Sequence, residues 1–417
     1  MPDSIARFID AEFDASVAFL AELVRLPSDN PPGDCAAHAA RAKTLLEALG
    51  FVVEAHVVPE AEVRAHGMVS ATNLIVREQF GDGSGPVIAL NAHGDVVPPG
   101  LGWSHDPYGA DIVDDPAHGR VMIGRGVAVS KSDFATYAYA LLALRAAARD
   151  GLALNGGIEL HLTYDEETGG EIGPGWLLAQ GLTAPDYAIC AGFSYSVVQA
   201  HNGCLHTEVT VTGKQAHAAM PHTGVDALEA ATAVLQALYA HRATLALRPS
   251  RVAGIAAPTL NVGLIRGGIN TNVVPDQVTF RIDRRITPDE DPAAAEAELI
   301  GVIEAAAAHL PVPATVAQRR ILLARPLAPQ PGVDKLTAAI AKHASTLLGC
   351  DVPAAGVPIY TDARHYAERG IPTVLYGAGP RTLLDANGHN ADENLRLSDL
   401  RAATEIVARA CAELLTS

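Results

Sequence analysis

The sequence has few cysteines, few aromatic residues, an excess of acidic over basic side chains and no long apolar run. Its 417 residues include five widely separated cysteines without a C-x-x-C pair. A disulfide framework or a thiolate zinc site is therefore not expected, and a reducing cytoplasm is the predicted location. No apolar run approaches the roughly 18 residues needed to span a membrane, and the first residues lack a signal-peptide pattern, so no membrane partner is expected.

The charge balance also excludes a class of partner. Thirty Lys and Arg stand against 47 Asp and Glu, for a formal net charge of −17. Nucleic acid is therefore not expected as a partner, since phosphate backbones are bound by clustered cations. Sixteen histidines beside these acids direct attention to imidazole and carboxylate chemistry, and a small molecule is the expected substrate.

Alternating helical and strand patterns predict an α/β fold with a mostly parallel sheet flanked by helices. Two short apolar runs, residues 86–91 and 158–163, are predicted strands, and each is followed at once by a polar cluster. Ligands of open α/β sheets bind outside the carboxyl ends of the strands. The sequence therefore predicts a site where these two strands end.

The second half of the chain has a different pattern, which predicts an inserted β-α-β-β-α-β unit. Its predicted elements are residues 205–213, 225–243, 259–265, 278–282, 292–310 and 314–323. Because 417 residues exceed one compact core, we expect a catalytic domain in two parts, residues 1–202 and 325–417, around an inserted lid and dimerisation domain, residues 203–324.

Polar motifs stand at several predicted strand ends and loops. The strongest is Asp165-Glu166-Glu167, because three adjacent acids repel one another unless a cation or a proton relieves them. A solvated acidic turn is the alternative. His93 and Asp95 suit a metal ligand and its orienting partner, although an ordinary turn explains them equally well. Turn formers and surface histidines explain each remaining motif when it is taken alone: residues 124–126, 213–221, 267–275 and 388–393.

Taken in order, these motifs resemble the dinuclear metallopeptidase family of acetylornithine deacetylase, succinyl-diaminopimelate desuccinylase, aminoacylase and glutamate carboxypeptidase. The resemblance covers almost the whole chain, and the ordered set is far more specific than any single motif. It rests on Pro27-Ser-Asp-Asn-Pro-Pro-Gly33, His93-Gly-Asp-Val-Val-Pro98, Gly124-Arg-Gly126, Asp165-Glu-Glu167, residues 213–221, Asn272-Val-Val-Pro275, Thr361-Asp-Ala363 and Gly388-His389.

The resemblance implies roles for five residues around the metals. His93 would bind one divalent metal, and Asp95 would orient it. Glu167 and His389 would bind the second metal, and Glu166 would be the general base that takes a proton from metal-bound water. This agrees with elementary chemistry, because a metal lowers the pKa of water and polarises a carbonyl group.

The resemblance also implies roles for residues of the lid. His217 would stabilise the tetrahedral oxyanion, often across a homodimer formed through the lid. Asn272, with Arg284 or Arg285, would hold a carboxylate of the substrate. The fold, the dimer and these roles are all expectations from the resemblance.

The sequence departs from the family pattern at two metal-binding positions. The family's bridging Asp corresponds to Val129, and its carboxylate after the next strand corresponds to Ala191 or Gly192. No Asp or Glu lies between residues 186 and 208 to replace the latter. The first metal would thus lose both of its carboxylates, and the second metal would lose the shared bridge.

The remaining ligands, His93, Glu167 and His389, are enough for one Mn²⁺ or Zn²⁺ ion per chain with open positions for water and substrate. Asp133 is a candidate replacement, because it lies one helical turn after Val129; a helix-start Asp that interacts with the dipole is the alternative. His201 is a weaker candidate, and a turn residue is the alternative there.

Three functions fit this pattern. The first is a metallohydrolase that cleaves the amide bond of a small carboxylate-bearing substrate, such as an N-acyl amino acid or a dipeptide. The second is hydrolysis of a non-peptide C–N bond, in an aryl amine or a cyclic amide, at a single-metal site. The third is a non-catalytic binding protein that kept the fold. Retention of Glu166 favours the first function, because a site without catalysis has no need of this acid.

Overall fold

The computed structural model describes residues 2–382 and 384–416, which form helices, strands and short 3₁₀ turns. The helices are α1 (Pro2–Val24), α2 (Ala36–Ala48), α3 (Glu60–Ala65), α4 (Lys131–Arg149), α5 (Pro174–Ala179), α6 (Ala227–Leu245), α7 (Pro292–Ala307), α8 (Val333–Leu348), α9 (Ala363–Ala367) and α10 (Leu397–Leu415). The strands are β1 (Val53–Val57), β2 (Thr72–Phe80), β3 (Val87–His93), β4 (Asp111–Asp115), β5 (Gly119–Ile123), β6 (Gly156–Thr163), β7 (Tyr187–Cys190), β8 (Val197–His201), β9 (Gly203–Thr212), β10 (Thr259–Gly267), β11 (Gln277–Ile286), β12 (Thr315–Ala324), β13 (Ala354–Val357), β14 (Thr373–Leu375) and β15 (Asn394–Arg396).

The chain divides into two compact units. The first contains Met1–Gln199, Pro329–Ala355 and Thr361–Ser417, and the second contains Ala200–Ala328 and Gly356–Tyr360. The short return of residues 356–360 to the second unit was not predicted from the sequence. Within the described residues, no helix is both long enough and apolar enough to cross a membrane.

The large sheet has the strand order β1-β2-β6-β3-β7-β14-β8-β13. Its centre is parallel, as predicted: β6 pairs with β3, β3 with β7, and β7 with β14. The pairs β1–β2, β2–β6 and β14–β8 are antiparallel, which the sequence did not predict. In the parallel register His93 lies opposite Thr163, and Asn91 lies opposite Cys190, so β3, β6 and β7 end at the same edge.

Helices α1, α4, α8 and α10 pack together beside this sheet, and their apolar residues form one core. Helices α4 and α10 are buried along most of their length, whereas α1 buries mainly one face. The predicted face of α10 is confirmed, because its five apolar residues are all buried: Leu400, Ala403, Val407, Ala410 and Leu414. Helix α8 covers the predicted residues from Val333 to Leu348.

The second unit confirms the predicted β-α-β-β-α-β order, with β9, α6, β10, β11, α7 and β12 in sequence. Its sheet is antiparallel in the order β10-β11-β9-β12. Alternate residues of β9 are buried against the two helices, as expected for a sheet with one covered face. Both helices begin at an Asp whose carboxylate accepts backbone N–H groups, Asp226 in α6 and Asp291 in α7.

Candidate active site and metal centre

The carboxyl ends of β3 and β6 bring together the predicted imidazole and carboxylate residues. His93 ends β3, and Glu166 and Glu167 begin the 3₁₀ turn after β6. One ligand atom from each of these three side chains lies within 4.8 Å of the other two. The ring of His389, in the loop before β15, places its Nε2 atom 3.5 Å from Oε1 of Glu167. The four residues therefore form one cluster, although they are far apart in sequence.

The buried carboxylate of Asp95 orients the turn that carries the two glutamates. It accepts N–H groups from the backbones of Glu166 at 3.3 Å and Glu167 at 3.2 Å, and from the Asn30 amide at 2.9 Å. The Nδ1 atom of His93 lies 3.0 Å from the Asp95 carbonyl oxygen. If Nδ1 donates to this carbonyl, Nε2 is left with a free electron pair that can bind a metal. This Nε2 atom lies 3.9 Å from Oε2 of Glu166.

Asp165 directs the chain into this turn through a strained backbone conformation. Its φ of +136° lies in a region that residues other than glycine rarely adopt. The side chain is buried, and its carboxylate accepts the N–H of Ile172 at 2.7 Å. Such strain persists only where neighbouring contacts enforce it, and here it points Glu166 and Glu167 toward His93.

The electrostatics of the cluster favour a cation. Burial alone favours a neutral His93 ring, but the charges of Glu166 and Asp95 raise the pKa of His93 well above its ordinary value. Burial raises the pKa of Glu166 well above its ordinary value; the His93 ring opposes this shift, and Glu167 and Asp362 add to it. A metal ion, like a proton, relieves the repulsion between closely spaced carboxylates.

A second buried network holds the loop near His389. The carboxylate of Glu393 accepts the Ala128 N–H at 3.0 Å and the Val129 N–H at 3.2 Å. It also pairs with Arg125 at 2.6 Å, and this guanidinium lies over the Trp103 ring, 5.2 Å from its centre. Protein donors thus saturate the Glu393 carboxylate beside the backbone of Val129, the residue where the family pattern expects a carboxylate.

A buried acid also lies beside the second position from which a ligand is missing. Asp133, in the first turn of α4, is buried and accepts the Gly192 N–H at 3.2 Å and the Ala378 N–H at 2.7 Å. Burial raises the pKa of Asp133 to about 7, against the effect of these two hydrogen bonds. Asp133 therefore lies beside one of the two positions from which a ligand is missing, but each of its oxygens already has a backbone partner.

Sequence reasoning missed three buried residues at the start of α9: Asp362, Arg364 and His365. The Arg364 guanidinium donates to the Gly169 carbonyl at 2.6 Å and pairs with Glu171 at 2.8 Å. The Nε2 atom of His365 lies 3.0 Å from the same carbonyl. These contacts fix the loop that follows Glu166 and Glu167. The motif Thr361-Asp362-Ala363 was the available signal, but the sequence alone assigns it no role.

The predicted lid residues lie in the second unit. His217 and Asn272 are exposed there; the Ala219 N–H donates to Nδ1 of His217, and the Ala218 N–H donates to the Asn272 carbonyl. His201 is buried, with Nδ1 2.8 Å from the Asn202 carbonyl oxygen. The roles that the sequence suggested for His217 and Asn272 stay predictions.

The two candidate arginines of β11 differ in availability. Arg284 is fully buried, and Glu290 pairs with it at 2.5 Å, so protein groups already occupy its guanidinium. Arg285 pairs with Asp283 at 2.9 Å but keeps 29% of its side chain exposed. Of the two, we retain only Arg285 as a candidate for substrate binding.

A second cluster with metal-ligand chemistry occurs in the second unit, where ligand atoms of Cys204, His206 and Asp283 lie within 4.8 Å of one another. Asp283 is already neutralised there, because the Arg285 guanidinium contacts both of its oxygens, at 2.9 and 3.2 Å. Arg285 thus already supplies the positive charge that a metal would bring to Asp283.

An α/β unit with imidazole and carboxylate side chains at its strand ends, in a chain that also contains a separate four-stranded unit, is typical of a class of metal-dependent hydrolases. The family model described as Peptidase family M20/M25/M40 matches residues 89–413, and the chain belongs to this family. The succinyl-diaminopimelate desuccinylase of Methylobacterium nodulans is 29% identical over 398 residues, covering 93% of each chain.

Solved structures share the fold. The di-peptidase Dug1p from Saccharomyces cerevisiae has a TM-score of 0.79 at 15% identity, with 100% of this chain and 99% of that chain covered. The Bacillus subtilis YXEP protein, described as a dinuclear metal binding peptidase of the M20 family, has a TM-score of 0.65 at 16% identity, covering 98% and 99%. The family and its relatives confirm the prediction of a metal-binding hydrolase that acts on C–N amide bonds, and they favour it over a non-catalytic binding protein.

Proposed function

We propose that this hydrolase uses one divalent ion per chain, Mn²⁺ or Zn²⁺, held by His93, Glu167 and His389. The observation that carries the proposal is the convergence of these side chains at the strand ends, while the two missing family carboxylates correspond to residues that cannot bind metal. Asp133 and Glu393 lie beside those positions, but backbone N–H groups and Arg125 occupy their oxygens. One site with open positions thus fits the donor set better than two.

The described residues fit a divalent ion by charge and by donor type. His93 directs Nε2 toward Glu166, and the Glu167 carboxylate faces the His389 ring at 3.5 Å. The Glu167 carboxylate raises the pKa of His389 against the effect of burial, so the surroundings of this ring also favour positive charge. Imidazole and carboxylate ligands together suit both Mn²⁺ and Zn²⁺.

When bound, the ion lowers the pKa of water and polarises the amide carbonyl group. Glu166 serves as the general base: its carboxylate accepts a proton from the attacking water and passes it to the leaving amine. Burial raises the pKa of Glu166 above its ordinary value, which makes its carboxylate a stronger proton acceptor than a solvated one. Asp95 holds both His93 and the Glu166 backbone in place for this transfer.

The substrate proposed is a small N-acyl amino acid or a dipeptide that carries a free carboxylate. The relatives' name, succinyl-diaminopimelate desuccinylase, supports an acylated amino acid, since desuccinylation cleaves an amide bond beside carboxylates. Arg285 and Asn272 are the candidate carboxylate-binding residues, and exposed His217 is the candidate oxyanion-stabilising residue, all three in the second unit.

A substrate screen with the metal-reconstituted protein tests this proposal. N-succinyl, N-acetyl and N-formyl amino acids, dipeptides, aryl amines and cyclic amides are each assayed with Mn²⁺ and with Zn²⁺. We expect turnover of at least one acylated amino acid or dipeptide, and its loss in Glu166→Gln. Turnover of an aryl amine or a cyclic amide without any acyclic amide would favour the alternative C–N substrate, and activity that survives removal of the metal would contradict the proposal.

We further propose a homodimer that forms through the second unit. Strand β10 lies at one edge of that sheet, where unpaired backbone groups are available to another chain. Leu264 and Ile265 on this strand are about half exposed, and Ile269 just beyond it is 70% exposed. Sedimentation equilibrium of Ile265→Lys tests the proposal: we expect the variant to be monomeric where the parent chain is a dimer, and an unchanged dimer would contradict it.

A further inference from the structure

Asp362 is a buried acid that takes no part in the proposed chemistry. It directly precedes α9 and is only 4% exposed. Neither of its carboxylate oxygens has a hydrogen-bond donor among the described residues. The Thr163 hydroxyl favours the charged form of Asp362. This hydroxyl donates its hydrogen bond to the Ala92 carbonyl oxygen, at 3.4 Å.

The Asp362 carboxylate approaches Gly170 in the loop after β6, and its charge interacts with groups at the ends of three strands. These groups include His93, Glu166 and Cys190, which belong to the ends of β3, β6 and β7. Cys190 directly precedes Ala191 and Gly192, one of which corresponds to the family's missing carboxylate. The Asp362 carboxylate is thus associated with the end of β7, where the family's missing carboxylate corresponds to Ala191 or Gly192.

The local backbone makes room for this carboxylate. Gly170 has a φ of +72°, and a Cβ atom added to it would lie 2.0 Å from Oδ1 of Asp362. Only glycine therefore fits between the loop after Glu167 and the carboxylate. This close approach brings the Asp362 oxygen against the backbone of the loop that carries the proposed base and ligand.

Among the residues that the structure describes, none forms an ion pair with Asp362, although the charges of His93 and Arg364 favour its charged form. Arg364 is the nearest cation in sequence, and its terminal nitrogens donate to the Gly169 carbonyl, Glu171 and Glu368. A buried carboxylate without a hydrogen bond or an ion-pair partner is costly, and native proteins rarely leave one in that state. A bound cation removes this cost, and the neighbouring His93 supplies a further donor for it.

We propose that Asp362 is a further acidic ligand of the divalent ion, on the His93 side of the cluster, where it replaces the carboxylate missing after β7. This inference rests on the proposed function and deepens it. The ligand set would then contain two imidazoles and two carboxylates, from His93, His389, Glu167 and Asp362. A donor set with this share of hard oxygen ligands suits Mn²⁺ as well as Zn²⁺.

The test is calorimetric titration of Mn²⁺ and Zn²⁺ into the metal-free full chain and its Asp362→Asn variant, together with metal-induced shifts of the melting temperature. We expect the variant to bind at least about tenfold more weakly and to gain less thermal stability from metal. Without metal it should be at least as stable as the parent chain, because a carboxylate beside other carboxylates has been neutralised. Unchanged affinity would overturn the proposal.

Two further variants separate the possible failures. Asp133→Asn is the matched control, a buried acid whose oxygens both have backbone donors, and it should keep its metal affinity. Glu167→Gln tests the proposed function: if it weakens binding and Asp362→Asn does not, the inference about Asp362 fails alone. If neither variant changes binding, the proposed metal site fails. Should Asp362→Asn not fold, Asp362→Glu takes its place, with at least threefold weaker binding expected and unchanged binding contradicting the proposal.

Discussion

Asp133 accepts the backbone N–H of Gly192 at 3.2 Å, so a carboxylate lies beside one of the two residues where the family pattern expected a metal ligand. The carboxylate comes from the start of α4 instead of the loop after β7, and its other oxygen accepts the Ala378 N–H at 2.7 Å. Through these two hydrogen bonds it stabilises the surrounding loops.

Replacement of Glu166 tests the assignment of the general base. In Glu166→Gln we expect kcat to fall by about 10²–10⁴, because the amide cannot accept a proton, while the metal content stays unchanged. Steady-state kinetics and elemental analysis of the same preparation measure both quantities. Glu413→Gln, on the exposed face of α10, is the control and should keep the parent kcat. Equal losses of metal and activity in Glu166→Gln would instead make Glu166 a ligand.

A pair of glycines tests the close packing around Asp362. Gly170 and Gly181 both have positive φ, +72° and +65°, but only Gly170 has a neighbour within 4 Å of an added Cβ atom. Gly181→Ala should lose about 1 kcal/mol from backbone strain alone. Gly170→Ala should lose clearly more and should also bind metal more weakly, because the methyl group displaces the Asp362 carboxylate. Urea denaturation measures the stability, and identical losses in both variants would contradict the packing argument.

The pH dependence of stability provides a test at His365. Burial and the charge of Arg364 lower the pKa of His365 to about 3 from its ordinary 6.5. Between these values the unfolded chain binds the proton and the folded chain does not, so stability from this residue is lost as the pH falls below 6.5. From pH 7.5 to pH 5 the parent chain should lose about 2 kcal/mol more than His365→Gln. Parallel stability curves for the two proteins would show that His365 is not held neutral.

The parts of the fold that follow from local patterns were predictable. The limits of α8, the order of elements in the second unit and the buried face of α10 all follow from apolar periodicity and turn residues. The antiparallel outer strands of the large sheet were not predictable in the same way, because strand direction depends on the path of the chain and leaves no mark in a short apolar run.

The residues of the site also fall into those that sequence motifs predicted and those that they did not. Ordered motifs predicted His93, Glu166, Glu167 and His389, and the structure places them in one cluster. Asp362 was overlooked, because the sequence does not reveal that its carboxylate is buried without a partner. An Asp before a short helix usually indicates a capped turn, and only the three-dimensional surroundings distinguish the two cases.

The number of metal ions bound per chain tests the central claim most directly. Elemental analysis of the purified full chain after equilibration with Mn²⁺ or Zn²⁺, compared with Glu167→Gln, measures it. We predict one tightly bound ion per parent chain and substantially less than one in the variant, because Glu167 is a proposed ligand. Two tightly bound ions per chain, or one ion that is unaffected by the Glu167 substitution, would contradict the account.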